Sequence, residues 1–180
     1  MIPDPATRGA GRHDTRRIPW PDQEAILMHI TLLSPFSGRA VPLSSVPDPV
    51  FAGSVLGDGL AVDPCVGELR APCDGVVVAP HASGHALTVR SPEGMELLMH
   101  IGIETVSLHG AGFSLLVADG ENVRAGQCLV RFDLAAIRPR VPSLVSMMLV
   151  ANGDAFAVES VTRDGNVAFG ESVLTAASLR

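Results

Sequence analysis

The chain has 180 residues and a mass of 18.8 kDa, enough for one ordinary domain with its own apolar core. With 18 Gly, 14 Pro and only 4% aromatic residues, it reads as short strands joined by turns rather than as a helix bundle. The net charge is −6 and all 13 basic residues are Arg. An acidic chain without a basic cluster is a poor nucleic-acid binder, and a chain without Lys does no Schiff-base chemistry.

Residues 1–28 read as a disordered tail ahead of one domain spanning 29–177. The opening stretch MIPDPATRGAGRHDTRRIPWP has four prolines and no apolar periodicity. It lacks the apolar centre of a signal peptide, and the chain contains no run of 18 apolar residues, so cytoplasmic residence is expected. Asp22 can cap a short helical turn reaching Met28.

From His29 onward, strand-like runs alternate with turn signals. The runs are Ile30–Leu33, Gly59–Val62, Gly75–Val78, Ala86–Val89, Leu97–Ile101, Cys128–Phe132 and Val158–Val161. Between them stand Ser37-Gly38, Gly57-Asp58-Gly59, Asp74-Gly75, Pro92-Glu93-Gly94, Asp119-Gly120 and Asp164-Gly165. This density predicts an all-β fold, an antiparallel sandwich or barrel with little helix. The one fair helix candidate is Asp133–Ile137, capped by its Asp and stopped by Pro139. SPFSGRAV (34–41) and APCDGVVV (71–78) share an x-Pro-x-x-Gly opening, the mark of a short duplicated β-motif. GENVRAGQCLVRF (120–132) is a further strand–turn–strand signature. Cys65, Cys73 and Cys128 have no zinc spacing, and each is expected to be a buried small hydrophobe.

The informative stretch is HALTVRS–PEG–MELLMHI, a predicted hairpin with an imidazole at each end. Pro92 excludes a primed two-residue turn, whereas a turn with Pro92 second and Gly94 left-handed gives a bulged loop. That register sets Arg90 against Glu96, Val89 against Leu97, Leu87 against Met99 and Ala86 against His100. Opposite charges and apolar residues then meet across the strands. His100 falls on the more polar face with Thr88 and Leu98. His85 has the opposite parity, but it comes directly after Ser83-Gly84, where the chain need not be extended, so its ring can turn towards His100.

Two close imidazoles are neutral and nucleophilic near pH 7, and can receive a phosphoryl group or bind a metal. Ser83 is placed to hydrogen-bond the His85 ring and fix its tautomer. Pro47-Asp48-Pro49-Val50-Phe51 is a loop with an apolar tip, and an apolar rim beside a reactive His suits docking of a protein partner. No phosphate-binding GxxxxGK[ST] and no G-x-S-x-G are present.

SPFSGRAVPLSSVPDPVFAGSVLGDGLAVDP, APCDGVVV, SGHALTV, GMELLMHIGIETVSLHGAGF, GENVRAGQCLVRFDL and DGNVAFGESV together resemble the glucose-type enzyme IIA of the bacterial sugar phosphotransferase system. The likeness runs in order from about Thr31 to Val173. It implies an antiparallel β-sandwich-like barrel that takes a phosphoryl group from the phosphohistidine of HPr and passes it to a IIB domain. By position, His100 matches the phosphorylated histidine and His85 the second active-site histidine. Ser83 stands where the family usually has Thr. Val50, Phe51 and Leu98 match parts of the partner-docking patch, Asp48 its acidic edge, and Glu104 an Asp of the family. The resemblance also implies that His85 and His100 can bind zinc in a partner complex; no cofactor is otherwise expected. Permeases or kinases are further partners that a phosphate-dependent docking module would address.

Leu98 for Phe, Pro49 in the docking loop and the stretch 138–151 depart from the family pattern. A lysostaphin-type zinc endopeptidase, whose core phrases are similar, needs H-x3-D and H-x-H. Leu98 stands where the second motif requires His, and no H-x3-D occurs in the chain.

Overall fold

The computed structural model describes residues 28–179. The opening stretch through residue 27, with the turn begun by Asp22, lies outside them. The first half carries β1 (His29–Leu33), β2 (Gly38–Val41), helix α1 (Pro49–Ala52), β3 (Asp58–Pro64), β4 (Glu68–Arg70), β5 (Gly75–Val78), β6 (Ala86–Arg90) and β7 (Glu96–His100). The second half carries β8 (Phe113–Leu115), β9 (Asn122–Val123), β10 (Cys128–Phe132), helix α2 (Leu134–Ile137), β11 (Ser146–Val150), β12 (Phe156–Val161), β13 (Gly165–Val167) and β14 (Ser172–Ser178).

The paired strands are all antiparallel and form three sheets. The largest has the order β13-β2-β3-β11-β7-β6-β5-β9, and the smaller ones are β1-β14-β12 and β4-β10-β8. All three contribute to one core, with Leu32 and Leu174 from one small sheet and Leu69 and Leu129 from the other. Leu60, Val77, Leu87, Leu97 and Met99 come from the large sheet. The all-β antiparallel fold expected from the turn density is the fold observed.

The duplicated phrase is a structural repeat. Leu33 N–H donates to the Pro72 carbonyl, and Arg70 N–H donates to the Pro35 carbonyl, each at 2.9 Å. One residue on, Ser34 N–H bonds the Glu171 carbonyl and Ala71 N–H the Gln127 carbonyl, both at 2.8 Å. Gly38 pairs with Val167 as Gly75 pairs with Val123. At both glycines a Cβ would collide with a carbonyl oxygen of the neighbouring strand, that of Asp63 or that of Arg90. The large sheet is therefore symmetric in plan, and β11 and β7 form its middle pair.

The hairpin register is the expected one, from Ala86↔His100 to Arg90↔Glu96. Gly94 takes a φ of 90°, its N–H bonds the Ser91 carbonyl at 3.0 Å, and Arg90 bonds Glu96 at 2.9 Å. Asp133 caps α2 by accepting from Ala135 and Ala136 N–H groups, and the chain tightens into a 3-10 turn over Arg138–Arg140.

Strands β4, β8, β13 and β14 are not among the expected runs, and three further features differ from expectation. Residues 49–52 form a helical turn, because Asp48 caps it and Pro49 is pre-set for its first position. SMMLV is a central strand, β11, and shows no alternation because both its faces are covered, Met148 and Val150 by the main core and Met147 and Leu149 by a smaller apolar cluster on the outer face. Cys65 is exposed and Cys73 and Cys128 are half-buried, so none is the sealed hydrophobe expected. Cys65 lies in the turn after β3, with its Sγ 3.4 Å from the Ser37 carbonyl. Burial, with Glu93 and Asp74 nearby, pushes the Cys73 thiol up to about 12.

Candidate functional site

The site sits on the outer face of the large sheet, at the end of β7. The inner face of the hairpin buries Leu87, Val89, Leu97 and Met99 in the main core. Strand alternation therefore turns Leu98 and His100 outward. A second apolar cluster covers part of that face: Leu43, Val46 and Phe51 from the β2–β3 connection, with Ala61, Ile103, Met147 and Leu149, and Leu98 packed beside them. The Phe51 ring lies 5.2 Å from the His100 ring, centroid to centroid. Asp48 holds Phe51 there by accepting hydrogen bonds from Val50 N–H at 2.8 Å and Phe51 N–H at 3.4 Å. Val50 remains exposed on the rim.

The β5–β6 connection brings the second imidazole. Gly84 has a φ of 74°, which reverses the chain just ahead of β6 and breaks strand parity. His85 is consequently buried, with its ring 5.1 Å from that of His100 at an interplanar angle of 78°. Ile101 N–H donates to the His85 carbonyl at 2.8 Å, tying the two ends of the hairpin together. Ser83 Oγ lies 2.5 Å from His85 Nδ1.

The partner of His100 sets its tautomer. Nδ1 is 2.8 Å from the Gly102 carbonyl oxygen, which can only accept, so Nδ1 carries the proton. Nε2 is left with its lone pair. Burial lowers the pKa of His100 against opposing pulls from the Gly102 carbonyl and from Asp48, while His81 lowers it further. Burial, then the neighbouring His100 and His81, push His85 down to about 4. Both rings are neutral near pH 7, the state in which an imidazole is a nucleophile or a metal ligand.

Of the residues singled out in the sequence, His85, His100, Ser83, Phe51, Leu98, Val50 and Asp48 gather here. Glu104 is exposed, with a φ of 59°, and opens the 3-10 turn Thr105–Leu108; His109 closes that turn with a φ of 51°. His29 is at the far sheet, 2.8 Å from Glu159. Sequence reasoning gave His81 no role, yet its ring packs 4.4 Å from that of His85 and its Nδ1 is 2.7 Å from Ser83 Oγ. The signal was the same Ser-Gly turn, which returns residue 81 alongside residue 85.

Two imidazoles are one ligand short of the three protein ligands of a catalytic zinc site. Among the described residues, no group of three or more His, Cys, Asp or Glu is arranged to hold a metal ion. The pair by itself does not complete a zinc site.

This arrangement, two neutral rings in an apolar-rimmed hollow on an antiparallel sandwich, is suited to carrying a group between proteins. Residues 30–156 match the family model described as phosphoenolpyruvate-dependent sugar phosphotransferase system, EIIA 1. The glucose-specific EIIA components of Bacillus cereus and Bacillus anthracis are each 40% identical over 125 residues, covering 69% of this chain and 76% of theirs. Glucose permease IIA from Mycoplasma capricolum superposes with a TM-score of 0.77 at 36% identity, over 82% of this chain and 96% of that one. The chain belongs to the EIIA family of the phosphoenolpyruvate-dependent sugar phosphotransferase system and is a phosphocarrier of that system. No helix among the described residues is long and apolar enough to cross a membrane.

Proposed function

We propose that the chain accepts a phosphoryl group from phospho-HPr on His100 Nε2 and donates it to a cysteine of a IIB domain, in the cytoplasm. The observation that carries this reading is the imidazole pair, 5.1 Å apart, with the Nδ1 of His100 already committed to the Gly102 carbonyl. The lone pair on Nε2 attacks phosphorus as the P–N bond of the donor breaks, and that electron pair stays on the donor's nitrogen. The His100 ring becomes cationic. Its Nδ1–H···O=C bond and the Asp48 carboxylate oppose that charge. The protein's contribution is position and charge stabilisation.

His85 acts on the second half of the cycle. A phosphoryl dianion beside it favours its protonated form, so the ring takes a proton from solvent and donates Nε2–H to a phosphoryl oxygen. Transfer to the IIB thiolate reverses the first step: the S–P bond forms, the N–P bond breaks, and the pair returns to His100 Nε2. Phe51 and Leu98 limit water access to the phosphorylated ring. Val50, Phe51 and Leu98 form the apolar docking surface for both partners, with Asp48 and Glu104 as its acidic flank. The relatives' glucose specificity supports a hexose system for this chain. Zinc shared between His85, His100 and a partner's ligands is a further use of the pair.

The test is incubation with enzyme I, HPr and phosphoenolpyruvate, followed by mass spectrometry. Wild-type protein and His85→Ala gain one phosphoryl group, and only the wild type passes it on. His100→Ala gains none. Phosphate on the His100→Ala protein would overturn the assignment.

A further inference from the structure

His85 does not end its hydrogen bonds at Ser83. The Ser83 backbone N–H lies 3.3 Å from His81 Nδ1, and a backbone N–H can only donate. His81 Nδ1 is therefore an acceptor, and its ring proton sits on Nε2. Ser83 Oγ, 2.7 Å from the same Nδ1, must point its hydroxyl hydrogen at it. With that hydrogen used, the 2.5 Å contact from Ser83 Oγ to His85 Nδ1 has one workable polarity: His85 Nδ1–H donates and Oγ accepts. The chain of donation runs His85 Nδ1–H to Ser83 O–H to His81 Nδ1, and its direction is set by one backbone amide. Without an acceptor at residue 81, the hydroxyl is free to rotate and donate to His85 Nδ1, which would move the His85 proton to Nε2.

We propose that His81 is a positioning residue of the transfer site: through Ser83 it holds His85 in the tautomer protonated on Nδ1, leaving the Nε2 lone pair to take up the proton that then faces the phosphoryl group. The inference rests on the proposed roles of His100 and His85. Its structural half, the tautomer, stands independently of any phosphoryl chemistry. A hydroxyl that donates onward also accepts more strongly, so the relay stabilises the imidazolium that His85 becomes when the dianion arrives. A neutral serine thus gains part of the orienting effect that a carboxylate exerts on a catalytic histidine. His81 is exposed, so replacing it removes this relay without opening the core.

The test is a long-range nitrogen–proton correlation spectrum of the unphosphorylated protein at pH 7.5, together with acceptance and donation rates. The variants are His81→Leu and His81→Asn, whose side-chain oxygen can take the place of Nδ1. In the wild type, His85 is expected to carry its proton on Nδ1. His81→Leu shifts it towards Nε2–H and slows donation about tenfold, a larger effect than on acceptance from phospho-HPr. His81→Asn restores both the tautomer and the donation rate. An Nδ1–H tautomer retained in His81→Leu, or donation at the wild-type rate, would overturn the role of His81. Phosphate on His100→Ala would instead overturn the transfer reading, so the two failures are distinguishable.

Discussion

Residues 34–41 and 71–78 open equivalent strands, β2 and β5, with equivalent hydrogen bonds and equivalent edge partners, β13 and β9. The connections leaving the two strands are not equivalent. After β2 the chain runs through 42–57 and delivers an apolar plug, Phe51 on a helical turn capped by Asp48. After β5 it runs through 79–85 and delivers His81, Ser83 and His85. Both connections end at the His100 ring, because β3 and β6 flank the central β11–β7 pair that carries it. The repeat sets the sheet, and its two unlike connections make the site.

The comparison breaks first at the glycines. Gly38→Val and Gly75→Val each drive a side chain into a neighbouring carbonyl, and each should cost at least about 3 kcal/mol, read from urea unfolding. A large effect in only one copy would mean that the two are not mechanically equivalent. Next comes Phe51→Ala. It empties the second apolar cluster, with an expected loss of about 3 kcal/mol and faster hydrolysis of the phosphorylated protein. An unchanged phosphoprotein lifetime would remove water exclusion from the role of the first connection.

The second connection should be acid-sensitive. The unfolded His85 ring binds its proton near 6.5 and the folded one near 4, so between those values the unfolded chain holds more protons. Stability is full above pH 6.5 and falls as the pH drops to 4, by about 2–3 kcal/mol from this ring once solvent screening is allowed for. His85→Asn should flatten that part of the profile, measured as unfolding free energy against pH. The smallest effect is Asp48→Ala, expected to cost about 1 kcal/mol through loss of the cap. It should also lower the His100 pKa further, because Asp48 pulls that value upward. A nuclear magnetic resonance titration of His100 that moved upward would contradict the electrostatic role.

Much of the site was legible because it depends on local rules. Pro92 and Gly94 fix the hairpin turn, the turn fixes the register, and the register places His100 on the outward face opposite Ala86. Ser83-Gly84 signalled that His85 could leave strand parity. β11 was not legible, since a strand buried throughout has no alternation and its Met-rich run resembles any apolar segment. The helical turn at 49–52 was readable in principle from Asp48-Pro49, but an apolar tip looked like a loop. His81 escaped because its importance lies in a hydrogen-bond direction and not in spacing.

The amino-acid order alone determined the strand-rich class, the duplicated opening motif, the hairpin register and the family likeness, all of which come from short-range backbone preferences and side-chain period. Tertiary structure decided which connection supplies the apolar cover, that β11 lies beside β7, and that two imidazoles share one hydroxyl relay beside a third. Those outcomes depend on contacts between residues tens of positions apart, whose partners are set only when the sheets close around a common core.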